Sequence, residues 1–201
     1  LAAAVSLYKR FSVISGSPGT GKTTTVVKII VLLLEQSKGK ALRIALAAPT
    51  GKAAARLEEA VKKNGEMLSC SDSVRAAIPK KAATIHRLLG TIPNSPYFLH
   101  NSGNPLPVDV VIVDEASMVD LPLMSKLVQA IPEAARLILL GDKDQLASVE
   151  AGAVLGDICG TETLDAFSGE FSEKLKKSGD GFYFKNQYGN YNLKYDTADD
   201  Q

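Results

Sequence analysis

Residues 16–26 read GSPGTGKTTTV. Before them comes RFSVIS (10–15), with Phe11, Val13 and Ile14 among small polar residues. After them runs KTTTVVKIIVLLLEQ (22–36), apolar at Val26, Val27, Ile30, Leu33 and Leu34. Residues 11–15 suit a short strand and residues 22–36 a helix with one buried face. The glycines therefore fall on a strand-to-helix turn, where Gly16, Gly21, Lys22 and Thr23 fit G-x-x-x-x-G-K-[ST]. Glycine-rich backbone curls its N–H groups inward as an anion nest, and the start of the following helix adds free donors and partial positive charge. The pattern predicts a bound nucleoside triphosphate. Gly16, Ser17, Pro18, Gly19, Thr20 and Gly21 form the loop around it, and Lys22 reaches the β- and γ-phosphates. The Thr23 hydroxyl ligates Mg²⁺, and Thr24 lies beside the α-phosphate. The plain alternative, a glycine-rich turn that binds nothing, leaves the Lys-Thr pair at a helix start unexplained.

Outward from this turn, strand-like segments recur at 42–48, 108–114 and 136–141, continuously apolar or nearly so, as parallel strands covered on both faces read. Helical patterns at 22–36, 52–63 and 121–130 separate them. The alternation predicts an α/β fold: a doubly wound, mainly parallel sheet in three α/β/α layers. Residues 91–107, with four prolines, read as a long surface loop. The tail, 160–201, differs in character. Its last 21 residues hold four of the six tyrosines and no arginine, and a hairpin turning at Tyr188-Gly189-Asn190 is the reading they allow.

Bulk composition narrows the function classes. The 201 residues are 45% apolar, enough for one core, and no apolar run reaches membrane-spanning length. No membrane partner is expected. Cys70 and Cys159 form no metal-ligand pattern, so a reduced cytoplasmic setting is expected. The chain lacks an initial Met and reads as part of a longer protein. Net charge is +1, yet residues 1–100 carry 15 Lys/Arg against 5 Asp/Glu, and residues 101–201 carry 8 against 17. The basic stretch from Lys52 to Arg87 suits a phosphate backbone; a solvated helical face would read the same from charge alone.

VIVDEAS (111–117) sets two acids at the end of an apolar strand. Alongside the glycine-rich loop, Asp114 is expected to face Mg²⁺ and Glu115 to act as general base on the attacking water, which together predict ATP hydrolysis. RLILLGDKDQ (136–145) ends another buried strand in Gly-Asp. If this strand lies between the acidic strand and the P-loop strand, Gln145 would sit beside the γ-phosphate and sense it. A helix-capping turn around Asp142 and Asp144 is the alternative.

GSPGTGKTTT, AAPTGKAAARL (47–57), TIHRLLG (84–90), VIVDEASM (111–118) and LLGDKDQLASVEAGAVLGDIC (139–159) together resemble successive motifs of superfamily 1 DNA helicases, most closely the RecD-like alpha subunits of exodeoxyribonuclease V. The resemblance covers residues 1–159 and implies a RecA-like first motor domain that binds ATP and forms half of a single-stranded DNA track. It implies DNA contacts at Pro49, Thr50, Gly51 and Lys52, and further ones at Thr84 and His86, although His86 read alone is equally a packed histidine. It also implies helicase and nuclease partner subunits of a RecBCD-like complex. The family's second motor domain supplies an arginine to the nucleotide. Here the last arginine is Arg136, inside a strand, so slow hydrolysis is expected of these residues alone. No carboxylate cluster beyond Asp114 and Glu115 suggests DNA cleavage. Two other classes stand beside this reading: a non-motor P-loop phosphotransferase, and a nucleotide-gated interaction module.

Overall fold

A computed structural model describes residues 2–17, 21–37, 39–142 and 154–159. In chain order its elements are α1 (Ala2–Tyr8), β1 (Phe11–Ser15), α2 (Lys22–Gln36), β2 (Ile44–Ala48), α3 (Gly51–Met67), α4 (Asp72–Ala77), β3 (Ala82–Thr84), α5 (Ile85–Leu89), β4 (Val110–Val113), a 3₁₀ turn (Ala116–Met118), α6 (Leu121–Ala130), β5 (Arg136–Gly141) and α7 (Val154–Cys159). The strands form one sheet in the order β1-β5-β4-β2-β3, every pair parallel. The strand after the acidic one does insert next to the P-loop strand, so β1 and β4 stand two strand spacings apart, about 10 Å.

Successive side chains of a strand point to opposite faces, and here both faces are dry. Val110 and Ile112 of β4 and Ile138 and Leu140 of β5 join Val26, Ile29, Ile30 and Leu33 of α2 and Leu57 and Val61 of α3 in one core. Val111, Val113, Leu137 and Leu139 join Ile85 and Leu89 of α5, Leu123 and Leu127 of α6 and Leu155 of α7 in the other. This is the three-layer α/β/α arrangement expected, and it explains why β4 and β5 read as unbroken apolar runs. Each fully buried Leu, Ile or Val contributes roughly 1.5–3 kcal/mol. That outweighs the weak helix propensity of the β-branched residues crowding α2.

The helix starts follow side-chain chemistry. Thr50, Ser71, Thr84 and Asp120 each accept an N–H from the residue three positions on, at 3.2, 3.4, 3.2 and 2.7 Å. Of the strands and helices expected within the described residues, β1, α2, α6 and β5 keep the expected ends, and the others shift. β2 and β4 are shorter than 42–48 and 108–114, and α3 runs past residue 63 to Met67. The helix continues through Gly65, which is buried against Ile78, and the Arg75 guanidinium donates to the carbonyls of Gly65, Glu66 and Leu68 at 3.0–3.1 Å. Arg75 is thus a helix cap and not part of an open basic face. Residues 91–107 form the expected irregular segment, folded on itself by bridges Thr91–Phe98 and Asn101–Asn104. The proposed tail hairpin, residues 160–201, lies outside the described residues, as do Pro18, Gly19, Thr20 and Gln145. Among the described residues no helix is long and apolar enough to cross a membrane.

Candidate functional site

All five strands run the same way, so their C-terminal ends share one edge, and the singled-out residues follow those ends. Ser15 of β1 lies level with Gly141 of β5, Val113 of β4 pairs with Leu139 and with Ala47 of β2, and Ala48 pairs with Thr84 of β3. Along the edge the order is therefore Gly16-Ser17 and Gly21-Lys22, then Gly141–Asp142, Asp114–Glu115, Pro49–Lys52, and Thr84–His86.

At the β1 end, Gly21 precedes α2 with φ 80° and ψ 21°, a left-handed conformation that glycine adopts without strain. Gly21 has no side chain with which to cap this helix, in contrast to the cap residues of α3, α4, α5 and α6, and among the described residues this leaves the first N–H groups of α2 available to an anion. The Lys22 ammonium turns back along the loop and donates to the Gly16 carbonyl and, at 3.1 Å, to that of Ser17. Thr23 is half-buried beside it and Thr24 is exposed. The Thr25 hydroxyl donates to Gly21 O at 3.2 Å, which fastens the first turn.

At the β4 end, Asp114 is 9% exposed and its Oδ1 accepts the Glu115 N–H at 3.0 Å. Burial raises its pKa above the ordinary aspartate value, and the Glu115 charge adds to this; the Glu115 N–H and the Lys22 ammonium pull the other way. The Lys22 charge thus reaches Asp114 across the end of β5, as the weakest of these four influences. A carboxylate so placed is short of positive charge and fits a divalent cation. No group of three or more His, Cys, Asp or Glu side chains gathers among the described residues. A Mg²⁺ ion here would be held as that ion usually is, by one carboxylate, a hydroxyl and phosphate oxygens. Glu115 takes φ 55° and ψ 37°, a left-handed conformation rare for a residue with a side chain and characteristic of functional turns.

The nucleic-acid candidates fall on the other half of the edge. Thr50 caps α3 through its hydroxyl, with Pro49 half-buried and Gly51 and Lys52 exposed behind it. Thr84 caps α5 in the same way. His86 is exposed, edge-on to Phe98 with ring centroids 5.7 Å apart, so it lies on the surface against one aromatic side chain. Two features escaped the reading of the sequence. One is the left-handed Glu115, which no spacing signals. The other is the tight packing at Gly141, hinted at only by a glycine ending an apolar strand.

A family model described as an AAA domain matches residues 1–151. The chain belongs to this AAA domain family. The chain is 52% identical over 162 residues to the RecBCD enzyme subunit RecD of Haemophilus influenzae, covering 79% of this chain and 25% of that protein. It is 53% identical over 161 residues to the RecD subunit of Mycolicibacterium smegmatis, covering 78% of this chain and 29% of that one. It is 42% identical over 146 residues to the ATP-dependent RecD2 DNA helicase of Deinococcus radiodurans, covering 73% and 17%. The resemblance to RecD drawn from five motifs thus extends over most of this AAA domain. The chain spans 25–29% of the length of the two RecD relatives.

Proposed function

We propose that residues 1–159 are the RecA-like, ATP-binding and ATP-hydrolysing motor domain of a DNA helicase that moves on single-stranded DNA. In this reading it serves double-strand-break processing in the cytoplasm, beside helicase and nuclease subunits of a RecBCD-like complex. The observation that carries the reading is the shared edge: a triphosphate-type loop and two acids on one half, two hydroxyl-capped helix starts on the other, with Asp114 at the border.

ATP with Mg²⁺, when bound, supplies the phosphoanhydride bond whose cleavage drives movement. The residues of the chain do the rest. The N–H groups around Gly21 and the start of α2 take the phosphates, and Lys22 exchanges loop carbonyls for phosphate oxygens. Thr23 and Asp114 hold the cation. Glu115 takes a proton from the attacking water on its carboxylate, and Gln145 reads the γ-phosphate. On the other half, Pro49 to Lys52, Thr84 and His86 meet the DNA backbone; the Thr50 hydroxyl takes the Ala53 N–H and leaves those of Gly51 and Lys52 at the start of α3 for a phosphate. Arg136, the last arginine of the sequence, donates to the carbonyls of Ser6 and Lys9 at 3.4 and 2.8 Å. It is therefore committed to anchoring α1, and without an arginine from elsewhere these residues hydrolyse ATP slowly.

Two substitutions in the intact protein test the assignment. Lys22→Ala weakens triphosphate binding. Glu115→Gln keeps binding and slows hydrolysis. Normal hydrolysis by Glu115→Gln contradicts the general-base role.

A further inference from the structure

Gly141 ends β5 between the two halves of the nucleotide site, and its φ is not in the left-handed region that calls for glycine. Its hydrogen side chain serves space instead. A Cβ there would stand 2.5 Å from Leu155 Cδ2, 2.9 Å from the backbone nitrogen of Ser117 and 3.5 Å from that of Ala116. The leucine side chain has some freedom. The Ser117 nitrogen is main chain in a turn closed by Met118 N–H to Glu115 O at 3.0 Å and Val119 N–H to Ala116 O at 3.2 Å. On its other side, the Gly141 carbonyl accepts the Gly16 N–H at 3.1 Å. One residue thus touches both the base of the triphosphate loop and the turn that begins at Glu115.

We propose that Gly141 is a positioning residue for hydrolysis: its missing side chain sets how close the Glu115 turn lies to the loop that starts at Gly16. The proposal rests on Glu115 acting as the general base. A methyl group at position 141 pushes the Ala116–Ser117 backbone outward and carries Glu115 with it. The carbonyl that holds Gly16 remains, so the phosphate grip persists while the base is displaced.

The experiment is steady-state ATP turnover and equilibrium binding of a non-hydrolysable ATP analogue by the intact protein. In Gly141→Ala, kcat falls about 10- to 100-fold, the scale of a small misplacement of a reacting group, while KM and analogue affinity stay close to wild type. Leu155→Ala is the control for packing: it lowers the melting temperature and leaves kcat in place. The double variant removes the 2.5 Å contact but not the 2.9 Å one, so its kcat stays low; it carries the same expectation if Gly141→Ala alone does not fold. Wild-type turnover by folded Gly141→Ala, recovery of kcat in the double variant, or parallel loss of binding and turnover overturns the proposal. Glu115→Gln run alongside separates the two ideas. If it turns over normally, the general-base reading falls; if it is inactive while Gly141→Ala is unimpaired, only the positioning role falls.

Discussion

The Asp114 amide donates to the carbonyl of Ala47 at 2.9 Å. That bond ties the buried acid at the end of β4 to the strand that runs on through Ala48 into Pro49 and Thr50. The nucleotide half and the proposed DNA half are thus joined by a main-chain hydrogen bond.

Thr50 has two duties on this account, capping α3 and meeting a phosphate. Thr50→Ala is expected to cost about 1 kcal/mol of stability through the lost cap and to weaken single-stranded DNA binding, with nucleotide affinity unchanged. Thr50→Ser restores both. Denaturant unfolding and fluorescence anisotropy with a labelled oligonucleotide read the two effects separately.

Asp114 is expected to trade stability for function. Its charge is held in a buried position that raises its pKa, so ionisation works against the fold when no cation is present. Asp114→Asn keeps an oxygen for the Glu115 N–H and removes the charge. The nucleotide-free variant should melt no lower than wild type at neutral pH, and its affinity for ATP should lose its dependence on Mg²⁺. A lower melting temperature together with intact Mg²⁺ dependence contradicts the assignment.

Glu115 carries a cost of a different kind, in its left-handed backbone. A left-handed residue with a side chain costs roughly 1–3 kcal/mol, and glycine removes that cost while adding freedom to the unfolded chain. Glu115→Gly should therefore match or exceed wild-type stability while hydrolysis is lost. A clear destabilisation means that the carboxylate has a structural role instead.

Much of this arrangement was legible from residue order. The loop from Gly16 to Thr24, the apolar strands ending in Asp114 and Gly141, and the capped start at Thr50 each carry a local chemical signal. β3 carries none, and α5 carries only its Thr84 cap. Ala82–Thr84 is three residues with no apolar run, and it becomes a strand only because β2 offers it an edge. The full length of α3 depends on Arg75, ten residues beyond Gly65, reaching back to cap it. The role of Gly141 depends on Ser117 and Leu155, which are near in space and distant along the chain. Local patterns predict strands and caps; contacts across the sheet edge have no local signature.

At the opposite edge, Asp109 receives the Arg43 guanidinium at 3.0 and 3.1 Å and the Arg43 N–H at 2.8 Å, which lowers its pKa below the ordinary value of 3.8. A carboxyl whose pKa drops on folding contributes stability above its unfolded pKa and loses it as pH falls through the folded one. Asp109→Asn should melt below wild type at pH 7, and the gap should close as the pH drops below about 4. A gap that persists in acid shows that the pair contributes through packing and not charge.

The most direct test of the central claim, a triphosphate site working next to a DNA track, is Mg²⁺-dependent ATP turnover by the intact protein with and without single-stranded DNA, at one fixed salt concentration because such binding is salt-dependent. The account predicts that DNA raises turnover and that Lys22→Ala abolishes it in both conditions. Turnover unchanged by saturating DNA, or surviving the loss of Lys22, contradicts it.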